Sequence, residues 1–157
     1  MGLSSNILWH QTTLDGLKGI LNEQGFFYSY SLESILSRES KNNLNVAFPM
    51  VSLCDLPFSE LNDYIKKYGG YLIGMKRTWG KSNGLAPVWY CDSESTILNA
   101  IIDRYNQIEV NIKNGKNFTI SREIFLYTLS HIKNYEGQLI AHDFNKYRFY
   151  DEREFRS

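Results

Sequence analysis

Cysteine is scarce: Cys54 and Cys91 are the only two in 157 residues, with no CxxC pair and no histidine cluster beside them. That usage excludes a zinc ribbon and a disulfide framework. No metal site is expected, and both thiols read as reduced, with Cys54 in an apolar run that belongs to the core. Long hydrophobic runs are missing too. No apolar stretch approaches the ~20 residues that span a bilayer. MGLSSNILWHQTT lacks the basic-then-apolar order of a secretory signal, although Gly2 with Ser5 partly matches a myristoylation pattern. Charge of one sign is not in excess: 17 Lys and Arg balance 17 Asp and Glu, so no overall positive field draws the chain to nucleic acid or anionic lipid. A local basic groove stays open. The glycines form neither GxGxxG nor GxxxxGK[ST], and GxSxG and HExxH are absent, which removes the common nucleotide-loop and hydrolase signatures. These absences together predict a soluble cytoplasmic protein with no membrane segment.

What is present is a globular composition. Hydrophobic residues make up 43% and charged residues 22%, which excludes disorder, and 157 residues suit one domain spanning 1–157. Aromatics reach 15%, with eleven Tyr, enough for a cleft that is half apolar and half wet.

Along the chain, Ile7–His10 reads as a strand and residues 14–24 as a helix capped by Thr12 with Asp15, stopped at Gly25. Phe26–Tyr30 reads as a short strand, Ser37–Asn45 as a surface loop, and Val46–Cys54 as a buried segment. Asp55 is expected to cap a helix with Pro57 in its first turn and Phe58, Leu61, Ile65 and Tyr68 inward. Tyr71–Met75 is a strand, Thr78–Gly84 a turn region and Pro87–Cys91 a second short strand. Ser95–Ile108 and Arg122–Tyr135 are helices, the first with Ile97, Ile101, Tyr105 and Ile108 inward, and Tyr147–Phe155 is a closing strand. Strands at both ends with helices between them predict an α+β fold rather than regular βαβ alternation.

Three groups of residues can carry chemistry. His10 ends the first strand and Thr12 follows just before a helix, a placement from which both can grip a ribose; packing and capping are the plainer roles. In RFYDEREFRS, strand alternation puts Tyr150, Glu152 and Glu154 on one face. Two carboxylates there can steady a developing cation or polarise a nucleophile, or they can simply guard an edge strand. Tyr64, Tyr68, Tyr71 and Trp79 can sandwich a flat ring, with Lys66, Lys67, Lys76, Arg77 and Lys81 near for phosphate; core packing and a solvated helix face compete with that reading.

The segments LWHQTTLDGLKGILNEQGF, VAFPMVSLCDLPFSELNDYIKKYGGYLIGMKRTWGKSNGLAPVWY and RFYDEREFR, in that order, resemble the AbiGi family, the antitoxin component of AbiG abortive-infection (phage-resistance) systems. The resemblance spans nearly the whole chain, and the family's acidic-aromatic strand runs a few residues past the position of Ser157. It implies antiviral defence of toxin–antitoxin type, with a cognate toxin or antitoxin as partner. The opening strand-His-x-Thr-helix is similar to the first motif of His-Tyr-Glu ADP-ribosyltransferases, which include enzymes that modify DNA and RNA. That similarity implies a split β-sheet core with flanking helices and NAD as substrate. It also implies His10 on the NAD ribose with Thr12 beside it, and Tyr68 or Tyr71 against the nicotinamide. Glu154, with Glu152 as its rival, would be the late glutamate that orients an acceptor or stabilises the oxocarbenium ion. Two functions stay open at this point. One is an ADP-ribosyltransferase-like protein with an NAD cleft, acting on nucleic acid or protein or retaining only nucleotide binding. The other is a non-catalytic antitoxin or regulatory module that binds a partner toxin.

Overall fold

The computed structural model describes residues 6–37, 42–117, 119–139 and 144–157. Its elements run β1 (Ile7–Thr12), α1 (Leu14–Glu23), β2 (Ser29–Ser37), β3 (Asn42–Met50), β4 (Ser52–Cys54), α2 (Leu61–Tyr68), β5 (Tyr71–Lys76), α3 (Arg77–Ser82), β6 (Ala86–Pro87), β7 (Trp89–Cys91), α4 (Thr96–Lys113), α5 (Thr119–Ser130), β8 (Ile132–Asn134), β9 (Gly137–Leu139), β10 (Phe144–Tyr147) and β11 (Glu154–Arg156). The architecture is α+β, as the mixed order of strand and helix signals predicts. Among the described residues, no helix is long and apolar enough to cross a membrane. Gly2 and Ser5 lie outside the described residues.

The largest sheet has the order β5-β1-β4-β11-β6, with every neighbouring pair antiparallel. Side chains of directly paired residues share a face, so the register assigns each one. Trp9 pairs with Cys54 and Cys54 with Glu154, which puts these three on one face. There Cys54 and Trp9 pack with Leu56, Leu61, Ile65 and Leu72 under α2. Gly74, paired with Trp9, leaves room for the indole: a Cβ would sit 2.8 Å from the ring. The opposite face carries Leu8, Leu53, Met75 and Phe155, packed against Trp79 of α3 and Leu85. A separate core lies between the β2–β3 ribbon and the helices, with Ile35, Phe48, Met50, Leu98, Ile102, Leu129 and Ile132 at its centre. β7 and β8 form a parallel pair at its margin.

Several local expectations are corrected. Thr12 stays in β1 as the partner of Tyr71, and Thr13 caps α1 instead, its hydroxyl accepting the Gly16 N–H at 3.2 Å. The ribbon is longer than foreseen. Asn42–Asn45, expected in a loop, pair with Ser37–Ser34, because a two-stranded ribbon open on one side accepts polar residues; residues 38–41 lie outside the described set. Asp55 does not cap a helix. It is buried and ion-paired with Arg77, and a short 3-10 turn over Phe58–Glu60 precedes α2. Phe58 is exposed, not inward. Thr78–Ser82 belongs to α3, so the expected turn region shrinks to its C-terminal end. Residues 86–91 form two strands in different sheets, the chain switching at buried Val88. In α4 the buried stripe is Leu98, Ile102, Tyr105 and Ile108, with Ile97 exposed. α5 stops at Ser130, where the serine hydroxyl turns back to the Tyr127 carbonyl, and Ile132 enters β8 as the partner of Trp89.

Candidate functional site

The expected closing strand is broken. Tyr147 ends β10, Phe149–Glu152 is a 3-10 turn, Arg153 takes a left-handed conformation at φ 45°, and strand resumes at Glu154–Arg156. Glu152 and Glu154 therefore do not share a face by alternation. They converge instead on Lys133 of β8, whose Nζ lies 3.0 Å from Glu152 Oε2 and 3.1 Å from Glu154 Oε2.

Around Glu154 the coordination is closed. Its Oε1 accepts from Ser52 Oγ at 2.6 Å and from Arg156 Nε at 2.8 Å, and its Oε2 accepts from Arg156 Nη2 at 2.9 Å as well as from Lys133. The Glu154 backbone N–H donates to the Tyr90 hydroxyl oxygen at 2.8 Å. Arg156 is 1% exposed; it also donates to Glu33 of β2 at 2.7 Å and to the Ser130 carbonyl at 2.9 Å. Lys133 in turn lies 4.8 Å from the Phe149 ring centroid. Three buried carboxylates and two cations thus join β2, β4, β8 and β11.

The electrostatics follow from that enclosure. Burial alone would raise the Glu154 carboxyl, but Lys133 and Arg156 outweigh it and hold it well below the usual carboxylate range. Burial works against the Lys133 and Arg156 charges, and the surrounding carboxylates more than restore them, so both are raised. Glu33 moves the other way, raised by burial despite both cations. Burial and the Glu154 charge push the Tyr90 phenol up. Burial followed by the Glu152 charge does the same to Tyr147. Glu154 is accordingly an ionised carboxylate whose lone pairs are already engaged, a poor acceptor for a further proton.

His10 sits elsewhere. It follows Trp9 in β1, so its ring is on the other face of the sheet from Glu154, edge-on to Phe26 at 4.9 Å, with Phe26 in turn 5.5 Å from Trp79. Its Nδ1–H donates to the Ser52 carbonyl at 2.9 Å, and burial lowers its pKa. Thr12 and Tyr71 are direct cross-strand partners on the His10 face, and Tyr71 is exposed. The structure thus brings His10, Thr12 and Tyr71 to one face and sends Glu154 to the other. Tyr68 ends α2, and the placement of its side chain, like those of Tyr64 and Lys67, lies outside the described residues. Arg77 is held by Asp55 and covers the Phe155 ring at 5.3 Å, so it is not a solvated phosphate contact.

Sequence reading missed Glu33, Ser52, Lys133 and Arg156. Two signals were there: Glu33 is the single charge between Phe26 and Leu36, and Arg156 follows Glu154 by two residues in a strand. Lys133 was hidden because its segment reads as helix.

No curated protein and no solved structure gives a match to the chain. Residues 24–157 match the family described as "Putative abortive phage resistance protein AbiGi, antitoxin". The match takes in everything from the end of α1 to β11, including Tyr68, Tyr71 and the whole ion network, and leaves out His10 and Thr12. The chain belongs to the AbiGi family.

Proposed function

We propose that this AbiGi protein serves in phage defence as a cytoplasmic, non-catalytic antitoxin that binds and restrains a partner toxin. The observation that carries this reading is the separation of the two halves of the expected catalytic site. His10 and Glu154 point from opposite faces of one sheet, and Glu154 is saturated by Ser52, Arg156 and Lys133. A glycosyl bond held by His10 would have the sheet between it and the carboxylate. The ion network is then a structural element of a binding module.

One observation favours a second reading. His10, Thr12 and Tyr71 do share a face at one end of β1 and β5, which suits a nucleotide contact with NAD. A transferase acting on nucleic acid or protein would then need a different acidic group from Glu154, or a rearranged β11.

Two measurements separate these readings. The first is co-expression with the protein encoded beside it, where an antitoxin gives a stable complex and rescues growth. The second is calorimetric titration of NAD into the wild-type chain and His10→Ala. Absence of saturable heat with both proteins folded is expected. Saturable NAD binding lost in His10→Ala, with nicotinamide released by the wild type, would overturn the antitoxin reading.

A further inference from the structure

Among the described residues, the β2–β3 ribbon buries one face and leaves the other exposed. Glu33, Ile35, Phe48 and Met50 point inward, while Tyr30 is 78% and Leu32 68% exposed on the outside, with Leu36 further along. Their partners across the ribbon are small or polar: Tyr30 pairs with Pro49, Leu32 with Ala47 and Ser34 with Asn45, all exposed. Tyr28, just before β2, is 65% exposed. Taken together, the apolar part of this outer surface amounts to roughly 600 Å², at the top of the range for the largest patch on a monomer.

Two features say what fits there. The first is charge. Glu33 is the only charged residue in β2 and β3, and it is buried against Arg156, so the outer face carries none. A partner with a charged surface would lose hydration there and find no counter-ion among the described residues of the two strands. The second is relief. The β2 row is bulky and the β3 row is low, which makes the face a ridge beside a groove. Rotation by a half-turn about an axis parallel to the strands lays the ridge of one copy over the groove of another. Aligned packing of two such faces is the ordinary geometry of stacked sheets. The chain has no net charge, so two copies meet without long-range repulsion. The patch, with its polar end at Ser34 and Asn45, approaches the ~800 Å² per partner of a standard interface. Pro49 lacks an N–H and blunts edge-to-edge pairing, which leaves the face rather than the edge as the contact.

We propose that the outer face of the β2–β3 ribbon is a self-association surface, on which a second copy of this chain packs about a two-fold axis parallel to the strands with Tyr30 and Leu32 over Ala47 and Pro49 of the other copy. This stands independently of the antitoxin reading.

The test is sedimentation velocity with light scattering on the full chain, from low to high micromolar concentration. The wild type is expected at twice the chain mass. Leu32→Glu puts an unpaired carboxylate into the contact and raises the dimer dissociation constant at least about a hundredfold. Ala47→Trp fills the groove while staying apolar and is expected to do the same, which distinguishes a shaped contact from mere stickiness. Both positions are exposed, so circular dichroism should match the wild type, and so should the melting temperature once the wild type is diluted to monomer. A monomer at every concentration overturns the proposal. So does a dimer that survives both substitutions, or association that grows without a fixed stoichiometry. A monomeric wild type whose toxin complex is lost in Leu32→Glu would likewise overturn it, assigning the face to the toxin.

Discussion

Replacing Glu154 by Gln keeps the shape of the side chain and removes its charge, leaving Lys133 and Arg156 to share Glu33 and Glu152. Breaking a buried ion pair in this way costs about 3–5 kcal/mol, far more than a surface pair is worth. At roughly 2–4 °C per kcal/mol for a chain of this size, the melting temperature should fall by about 6–20 °C in a thermal scan. Lys133→Met should cost less in the Glu154→Gln background than in the wild type, because one of its two carboxylates is already neutral; equal costs in the two backgrounds would mean the groups do not act as a network. Acid supplies an independent probe. The folded pKa of Glu154 lies below its ordinary 4.5, so its contribution is present above pH 4.5 and is lost as pH falls towards the folded value. His10 is lowered from 6.5, and between its folded pKa and 6.5 the unfolded chain binds more protons, so stability drops as pH falls through that window. His10→Phe should flatten the decline of denaturant-derived stability that sets in as pH falls below 6.5, while leaving the acid fall due to Glu154. An unchanged slope would remove His10 as a burial-coupled titrating group. His10 itself was legible as a strand-end residue; which face it takes was not, because that depends on register with β4, forty residues away.

Elements show the same division between local and distant information. Helices α1, α4 and most of α5 follow from apolar spacing and from caps such as Ser95, whose hydroxyl accepts the Leu98 N–H at 3.2 Å. The three-residue strands do not follow from anything local. β8 and β11 exist because Trp89 and Cys54 lie opposite them, and an Ile-Lys-Asn or Glu-Phe-Arg triplet carries no strand signal long enough to read. One side chain ties such a strand to the ribbon: Asn134 in β8 accepts the Leu36 N–H at 2.8 Å and donates to the Leu36 carbonyl at 2.9 Å, standing in for a strand partner along β2. Asn134→Ala leaves both backbone groups unpaired at a buried junction. The expected cost is about 2–3 kcal/mol, with hydrogen exchange at the Leu36 amide accelerated. If that amide exchanges as slowly as before, the ribbon is held by its apolar face alone.

Seen whole, the molecule has two apolar cores against opposite faces of one sheet and a third under the ribbon, joined by an ion network whose members come from residues 33 to 156. Removing residues 152–157 takes away β11 and three of the five charged members at once. It leaves β4 and β6 without a strand between them and Lys133 without either of its carboxylates. Such a chain is expected to lose its near-ultraviolet circular dichroism and its cooperative melting transition; a sharp transition would show that the sheet closes without β11. The position of that strand also bears on how the protein is made. The slot between β4 and β6 is filled by residues 154–156, so a ribosome that has released only the first hundred and fifty or so residues presents a sheet that lacks the strand joining β6 to β4. The five-stranded sheet is completed only once that segment has cleared the exit tunnel.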